Sequence, residues 1–229
     1  MLYKSTRSQA AATHTAAQII KQGLAEDGGL FVPAEIPSLS MSEIEALCKE
    51  SYPVRAAKIL AKFLSDYTYE ELLADCEAAY SEASFVGGAA PLVNLCDNKE
   101  ILELWHGPTA AFKDMALQIM PRLLSHALTK TGEERTALIL VATSGDTGKA
   151  ALEGYKDIDR IKIMVFYPVD GVSRVQKLQM ATQTGENVNV CAIEGNFDDA
   201  QNGVKEIFGD SAMAEKLNEK GYFLSSANS

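Results

Sequence analysis

Four short apolar runs in the second half of the sequence constrain the fold more than any other feature. Between successive runs lie longer segments whose apolar residues recur at helical spacing. Short buried strands that alternate with helices are typical of a parallel sheet with crossover helices. We therefore predict an α/β fold built on such a sheet. The four runs are residues 137–142, 161–167, 188–193 and 222–225.

The first half of the sequence has a different, mainly helical pattern. Capping boxes at residues 40–43 and 68–71 each precede apolar residues at helical spacing, which marks the start of a helix. The Gly-Gly pair at 87–88 ends this pattern. We predict a mainly helical N-terminal domain over residues 1–88 and an α/β domain over residues 89–229.

Composition removes several classes of function. A net charge of −10 over 229 residues argues against partners such as nucleic acid and anionic membrane surfaces. The four cysteines form no C-x-x-C pair and the three histidines are scattered, so we expect no metal site and reduced thiols in a cytoplasmic protein. No apolar run reaches the length of a membrane span. The expected partner is a small-molecule substrate, and the oligomeric state is left open.

A lysine in the segment H-G-P-T-A-A-F-K-D-M-A, residues 106–116, is the first candidate for chemistry. The residues after Pro108 have helical spacing, and Lys113 falls within an apolar arc that runs from Phe112 to Leu124. A buried ammonium group is costly unless it is paired, deprotonated or chemically converted. Enzymes use such lysines as bases and as Schiff-base partners. The alternative is that Lys113 reaches water along its aliphatic stem.

The loops that follow two predicted strands are rich in small polar residues. The loop A-T-S-G-D-T-G-K at 142–149 can offer free backbone N–H groups to an anion where a helix begins. It has neither the spacing of a P-loop nor that of a dinucleotide fingerprint. The alternative is a tight turn in which Asp146 or Thr147 only caps the helix. In the loop at 168–174, we favour helix capping as the role of Ser173.

Together these stretches resemble the threonine synthases, a family of pyridoxal-phosphate enzymes of fold type II, related to the tryptophan synthase β subunit. The resemblance extends over nearly the whole sequence and includes an opening Y-K-S-T-R at 3–7. It implies a fold type II α/β architecture with pyridoxal 5'-phosphate as cofactor. The remaining matching stretches are G-L-A-E-D-G-G-L-F-V-P at 23–33, H-G-P-T-A-A-F-K-D at 106–114, A-T-S-G-D-T-G at 142–148, P-V-D-G-V-S at 168–173, G-N-F-D-D-A-Q at 195–201 and S-S-A-N-S at 225–229.

The resemblance also implies roles for individual residues. Lys113 would form the Schiff base with the cofactor, and Phe112 and Asn228 would lie close to it. The loop at 143–147 would hold the carboxylate of the substrate, while three further residues are candidates for its phosphate and could equally be solvated helix-start residues. The implied substrate-binding residues are Thr143, Ser144, Gly145, Asp146, Thr147, Lys149, Ser173 and Arg174.

The implied reaction converts O-phospho-L-homoserine and water into L-threonine and phosphate. Members of the family continue well beyond the stretch at 225–229, and their glycine-rich cradle for the cofactor phosphate lies there. We therefore expect an incomplete sheet domain and a chain that is inactive or weakly active by itself. The alternatives are another lyase of the same cofactor fold, such as a dehydratase or a phospholyase, and a non-catalytic fragment.

Overall fold

The computed structural model describes residues 1–227, and the first part of this range is mainly helical, as predicted. Thr15, Ser40 and Thr68 each begin a helix through a capping box, which satisfies N–H groups that would otherwise lack a partner. The two strands of this part pair antiparallel. The elements are β1 (Tyr3–Ser5), α1 (Ala16–Gln22), β2 (Phe31–Pro33), α2 (Met41–Leu47), α3 (Tyr52–Phe63) and α4 (Tyr69–Ala79).

The segment that carries Lys113 differs from the single helix predicted after Pro108. An antiparallel hairpin of β3 (Leu92–Cys96) and β4 (Lys99–Leu102) precedes it. Two helices follow, α5 (Asp114–Leu117) and α6 (Met120–Lys130). The helix is interrupted because Pro121 has no N–H to donate to Leu117 and its ring crowds the preceding turn.

The four apolar runs form the parallel sheet that the sequence predicts. Its strand order is β7-β6-β5-β8, with parallel pairing between all neighbours, and helices connect the strands. The strands are β5 (Thr136–Ala142), β6 (Ile161–Pro168), β7 (Val188–Ile193) and β8 (Tyr222–Ser225), and the helices are α7 (Asp146–Tyr155), α8 (Arg174–Ala181), α9 (Phe197–Gly209) and α10 (Ser211–Glu219).

Helix α6 lies between two hydrophobic cores. Its Leu124 and Leu128 join the core that packs on the sheet, whereas Leu123 and Ala127 join the core formed by the N-terminal helices. The domain division at residues 88 and 89 therefore stays a prediction, with α6 packing on both parts. In the range that the structure describes, no helix has the length and hydropathy needed to cross a membrane.

Candidate active site

A buried carboxylate closes the turn that presents Lys113. Asp114 is fully buried, and its Oδ2 accepts the N–H of Thr109 at 2.9 Å while its Oδ1 accepts the Thr109 hydroxyl at 2.7 Å. A side chain at Gly107 would place a Cβ 2.6 Å from the Cβ of Asp114, so this approach requires glycine. The backbone of Lys113 is therefore held by contacts that do not involve its own amine.

The structure corrects the expected burial of Lys113. Helix α5 begins only at Asp114, so Lys113 occupies the N-cap position and its side chain is half-buried. Phe112, expected on the buried arc, is 58% exposed, and the Lys113 Nζ lies 5.2 Å from the centroid of its ring. Among the described residues the Lys113 amine has no hydrogen bond or ion pair. The amine is thus accessible and uncommitted.

The loop after β5 is organised by the buried hydroxyl of Thr143. Its Oγ1 accepts the N–H groups of Gly145 and Gly148, both at 3.0 Å, and it donates to the Gly145 carbonyl. Thr143 is only 2% exposed. Helix α7 begins at Asp146 with Gly145 as N-cap and no side-chain cap, so capping by Asp146 or Thr147 is wrong. Thr143 satisfies the helix start instead.

A cleft of about 360 Å³ opens in front of this loop. Ser144 and Thr147 expose hydroxyls that have no hydrogen bond among residues 1–227, and the N–H groups of Asp146 and Thr147 have none there either. Free amides at a helix N-terminus favour an anion. The lining consists of Ala142, Thr143, Ser144, Gly145, Asp146, Thr147, Gln176 and Phe197.

Gln176 shapes the same cleft, although nothing in the sequence analysis singled it out for function. Its Nε2 donates to Asp146 Oδ1 at 2.6 Å and joins α8 to α7. A Cβ on Gly145 would lie 2.6 Å from that Nε2, so a side chain there would displace the Gln176 amide from its position. The S-x-x-Q spacing from Ser173 resembles a capping box and is the one signal that could have placed Gln176 at a helix start.

Three other predicted substrate residues are not among those that line the cleft. Ser173 caps α8 by accepting the N–H of Gln176, which confirms the favoured capping role, and Arg174 is exposed as the first residue of that helix. Lys149 does not line the cleft: its amine contacts Gln183 and lies 3.5 Å from Glu153.

Two predicted cofactor residues, Lys113 and Asn228, lie outside this cleft or outside the described residues. Lys113 is not among the residues that line the cleft in front of α7. Asn228, predicted to lie near the cofactor, falls outside the described residues.

His106, which was not predicted as a site residue, stabilises the first residues of the turn that presents Lys113. The Nδ1 of His106 lies 2.8 Å from the Val86 carbonyl and its Nε2 lies 2.6 Å from Glu103 Oε2. Both acceptors require an N–H, and the Glu103 carboxylate, followed by the Val86 carbonyl, raises the pKa of His106 above its ordinary value. The ring is therefore favoured in its doubly protonated form.

Comparison with known proteins decides the family. A family model described as the threonine synthase N terminus matches residues 2–80. Threonine synthase from Pseudomonas aeruginosa is 41% identical over 217 residues, covering 93% of this chain and 45% of that protein. The chain belongs to the threonine synthase family. It corresponds to the N-terminal part of its members and spans less than half the length of the relatives it matches.

Solved threonine synthase structures share this fold. The pyridoxal-phosphate-bound threonine synthase from Brucella melitensis has a TM-score of 0.90 and 39% identity, covering all of this chain and 48% of that one. The yeast threonine synthase has a TM-score of 0.89 and 34% identity, covering all of this chain and 46% of that one. The α/β arrangement predicted from the sequence is thus that of threonine synthases.

Proposed function

We propose that this chain supplies the cofactor lysine and the substrate-anion loop of a fold type II threonine synthase that uses pyridoxal 5'-phosphate. The reaction would convert O-phospho-L-homoserine and water into L-threonine and phosphate. The observation that carries the proposal is the Lys113 amine, which is uncommitted and lies on a turn held by the buried Asp114. The similarity to a threonine synthase whose structure holds pyridoxal phosphate supports it.

The residues present suit this cofactor. An aldehyde needs an amine free of ion pairs, and Lys113 has one beside the exposed ring of Phe112. When bound, pyridoxal phosphate supplies an electron sink for a carbanion next to the substrate's amino group. Lys113 would hold it covalently until the substrate amine takes its place.

The residues of the chain then have separable tasks. The released Lys113 amine would remove the α-proton of the substrate and then a β-proton as phosphate leaves the γ-carbon. Protons would later return to the γ-carbon and the α-carbon, while water adds its hydroxyl at the β-carbon. The free N–H groups of Asp146 and Thr147, with the hydroxyl of Ser144, would bind the substrate carboxylate. For the substrate phosphate, exposed Arg174 at the start of α8 is better supported than Lys149, whose amine is turned towards other side chains.

A chimeric enzyme tests the reaction. The chimera joins residues 1–229 of this chain to the C-terminal part of the Pseudomonas aeruginosa threonine synthase. That part begins where the alignment between the two proteins ends. Supplied with cofactor and O-phospho-L-homoserine, it should release phosphate and form L-threonine in equal amounts. Formation of 2-oxobutyrate in place of threonine would instead identify a dehydratase or phospholyase, neither of which the comparisons favour.

Variants of the chimera test the role of Lys113. Replacing a residue that transfers the proton should lower kcat by about 10²–10⁴-fold, which we expect for Lys113→Ala. The matched control is Lys49→Ala, since Lys49 is exposed and distant in sequence from the turn. Wild-type turnover by Lys113→Ala would overturn the proposal. Low activity of the chain by itself stays a prediction.

A further inference from the structure

The cleft in front of α7 carries a charge of the wrong sign for an anion. Asp146 is the one charged side chain among the residues that line it in the described part of the chain. Its carboxylate is exposed and belongs to the first residue of α7. A carboxylate at that position is attracted to the same N–H groups that would bind the substrate carboxylate. An Asp146 side chain that turned towards them would compete with the substrate.

A hydrogen bond from Gln176 holds the Asp146 carboxylate on the neighbouring helix instead. The Nε2 of Gln176 donates to Asp146 Oδ1 at 2.6 Å, and such bonds to an ionised acceptor are about twice as strong as those between neutral groups. Consistent with this, α7 has no side-chain cap. The negative charge is therefore tied to α8, and the N–H groups at the start of α7 stay available.

The Gln176 amide is itself held in one orientation. The Ser173 hydroxyl donates to its Oε1 at 2.9 Å and accepts its backbone N–H at 3.3 Å. Because Oε1 faces this donor, the N–H₂ group is the end of the amide that faces Asp146. A Cβ on Gly145 would lie only 2.9 Å from the Gln176 Cδ, so the amide packs directly against the backbone of the loop.

We propose that Gln176 is a positioning residue for the substrate: it holds the Asp146 carboxylate on α8, away from the N–H groups that bind the substrate carboxylate. The inference rests on the proposed function, because it requires an anion in this cleft. The competing role is direct donation to the substrate by the second N–H of Nε2. Both roles predict weaker substrate binding without Gln176, but only the first depends on the charge of Asp146.

A double-mutant cycle in the chimera separates these roles. Gln176→Leu should raise the KM for O-phospho-L-homoserine at least about tenfold, because like charges then meet in the cleft, and should change kcat less than about threefold. In an Asp146→Asn background the same substitution should change the KM less than about threefold, since no charge is left to hold. The matched control is Gln179→Leu, on the same helix but outside the cleft lining, which should leave the KM unchanged.

A second variant guards against loss of packing at this position. Gln176→Glu keeps the length of the side chain but places another carboxylate beside Asp146. It should raise the KM at least as much as Gln176→Leu does, again with kcat largely retained. A KM equal to that of the parent in Gln176→Glu would overturn the proposal.

Other results would also contradict this role of Gln176. An equal rise in KM in both backgrounds would show that Gln176 acts on the substrate without Asp146. A fall in kcat at an unchanged KM would show a general change of structure, and either result would overturn the proposal. A parent chimera that forms no threonine would overturn the proposed function together with this inference. A parent that forms threonine, with a KM unaffected by Gln176→Leu, would overturn the role of Gln176 alone.

Discussion

At the scale of single residues, the turn that presents Lys113 depends on two side chains that do not react. Asp114 stabilises the turn by accepting two hydrogen bonds from Thr109. His106 stabilises the start of the turn through its contacts with Glu103 and Val86. Lys113 needs neither contact for its own amine. The position of the amine is therefore set by the backbone. Substitutions at Asp114 or His106 should mainly change the free energy of unfolding.

Replacing Asp114 tests the first of these contacts. Asp114→Asn keeps the shape but turns an amide N–H₂ towards one of the two Thr109 donors, so a buried hydrogen bond is lost. The expected loss is about 1–3 kcal/mol in the free energy of unfolding. Urea unfolding followed by circular dichroism measures it, with the exposed Asp97→Asn as control. An unchanged unfolding midpoint for Asp114→Asn would contradict this account of the turn.

The His106 contact predicts a pH dependence. Because the folded state raises the pKa of His106, its contribution to stability is complete below the ordinary pKa of 6.5 and is lost as pH rises through the folded value. The unfolding midpoint in urea should therefore fall as pH increases from about 6 to 8. His106→Gln should remove much of that fall. A slope that persists in full in His106→Gln would show that other groups cause it.

At the scale of elements, the contact between α5 and α7 is unusually close. A Cβ on Gly154 would lie 1.9 Å from the carbonyl oxygen of Leu117. Gly154 therefore lets α7 approach the helix that follows Lys113. Gly203 in α9 is also helical, but a Cβ there would meet nothing within 4 Å.

Substitution of these two glycines by alanine should change the stability of the protein in opposite directions. Alanine in an open helical position stabilises by about 0.5–1 kcal/mol relative to glycine. Gly203→Ala should gain that amount, while Gly154→Ala should lose stability because the two helices must separate. Thermal unfolding of the two variants and the parent provides the comparison. Equal stabilisation by both substitutions would show that α5 and α7 are not in close contact.

The elements also show which features could be predicted from the sequence. The four strands of the sheet match the predicted apolar runs to within one residue at each end. The central strands β5 and β6 are mostly buried, which explains their apolar sequences, whereas β7 and β8 are mainly half-buried. Strand β4, which ends at Leu102, is not among the predicted runs. Its residues are exposed, so no burial pattern marks its limits. The helix break at Pro121 follows from the missing N–H of proline. The continuous helical spacing of the apolar residues around it predicted a single helix instead.

The candidate site was predicted less completely than the fold. The loop at 143–147 does form a cleft at a helix N-terminus, as its glycine and hydroxyl residues indicated. The roles within the loop differ, since the Thr143 hydroxyl is used to start α7. Gln176 and His106 act through contacts between distant segments. Such contacts leave no periodic signal in a single sequence.

At the scale of the whole molecule, the central claim is that Lys113 carries the cofactor. The chain is similar throughout to threonine synthases and spans less than half their length. Its own contribution would be the reactive amine of Lys113 and the substrate-anion cleft in front of α7.

The most direct measurement is covalent trapping of the cofactor. The chimera would be loaded with pyridoxal phosphate, reduced with borohydride and digested, and the modified peptide would be identified by mass spectrometry. We predict that the cofactor is attached to Nζ of Lys113. Attachment to Lys130 or Lys149, with Lys113 unmodified, would contradict the account.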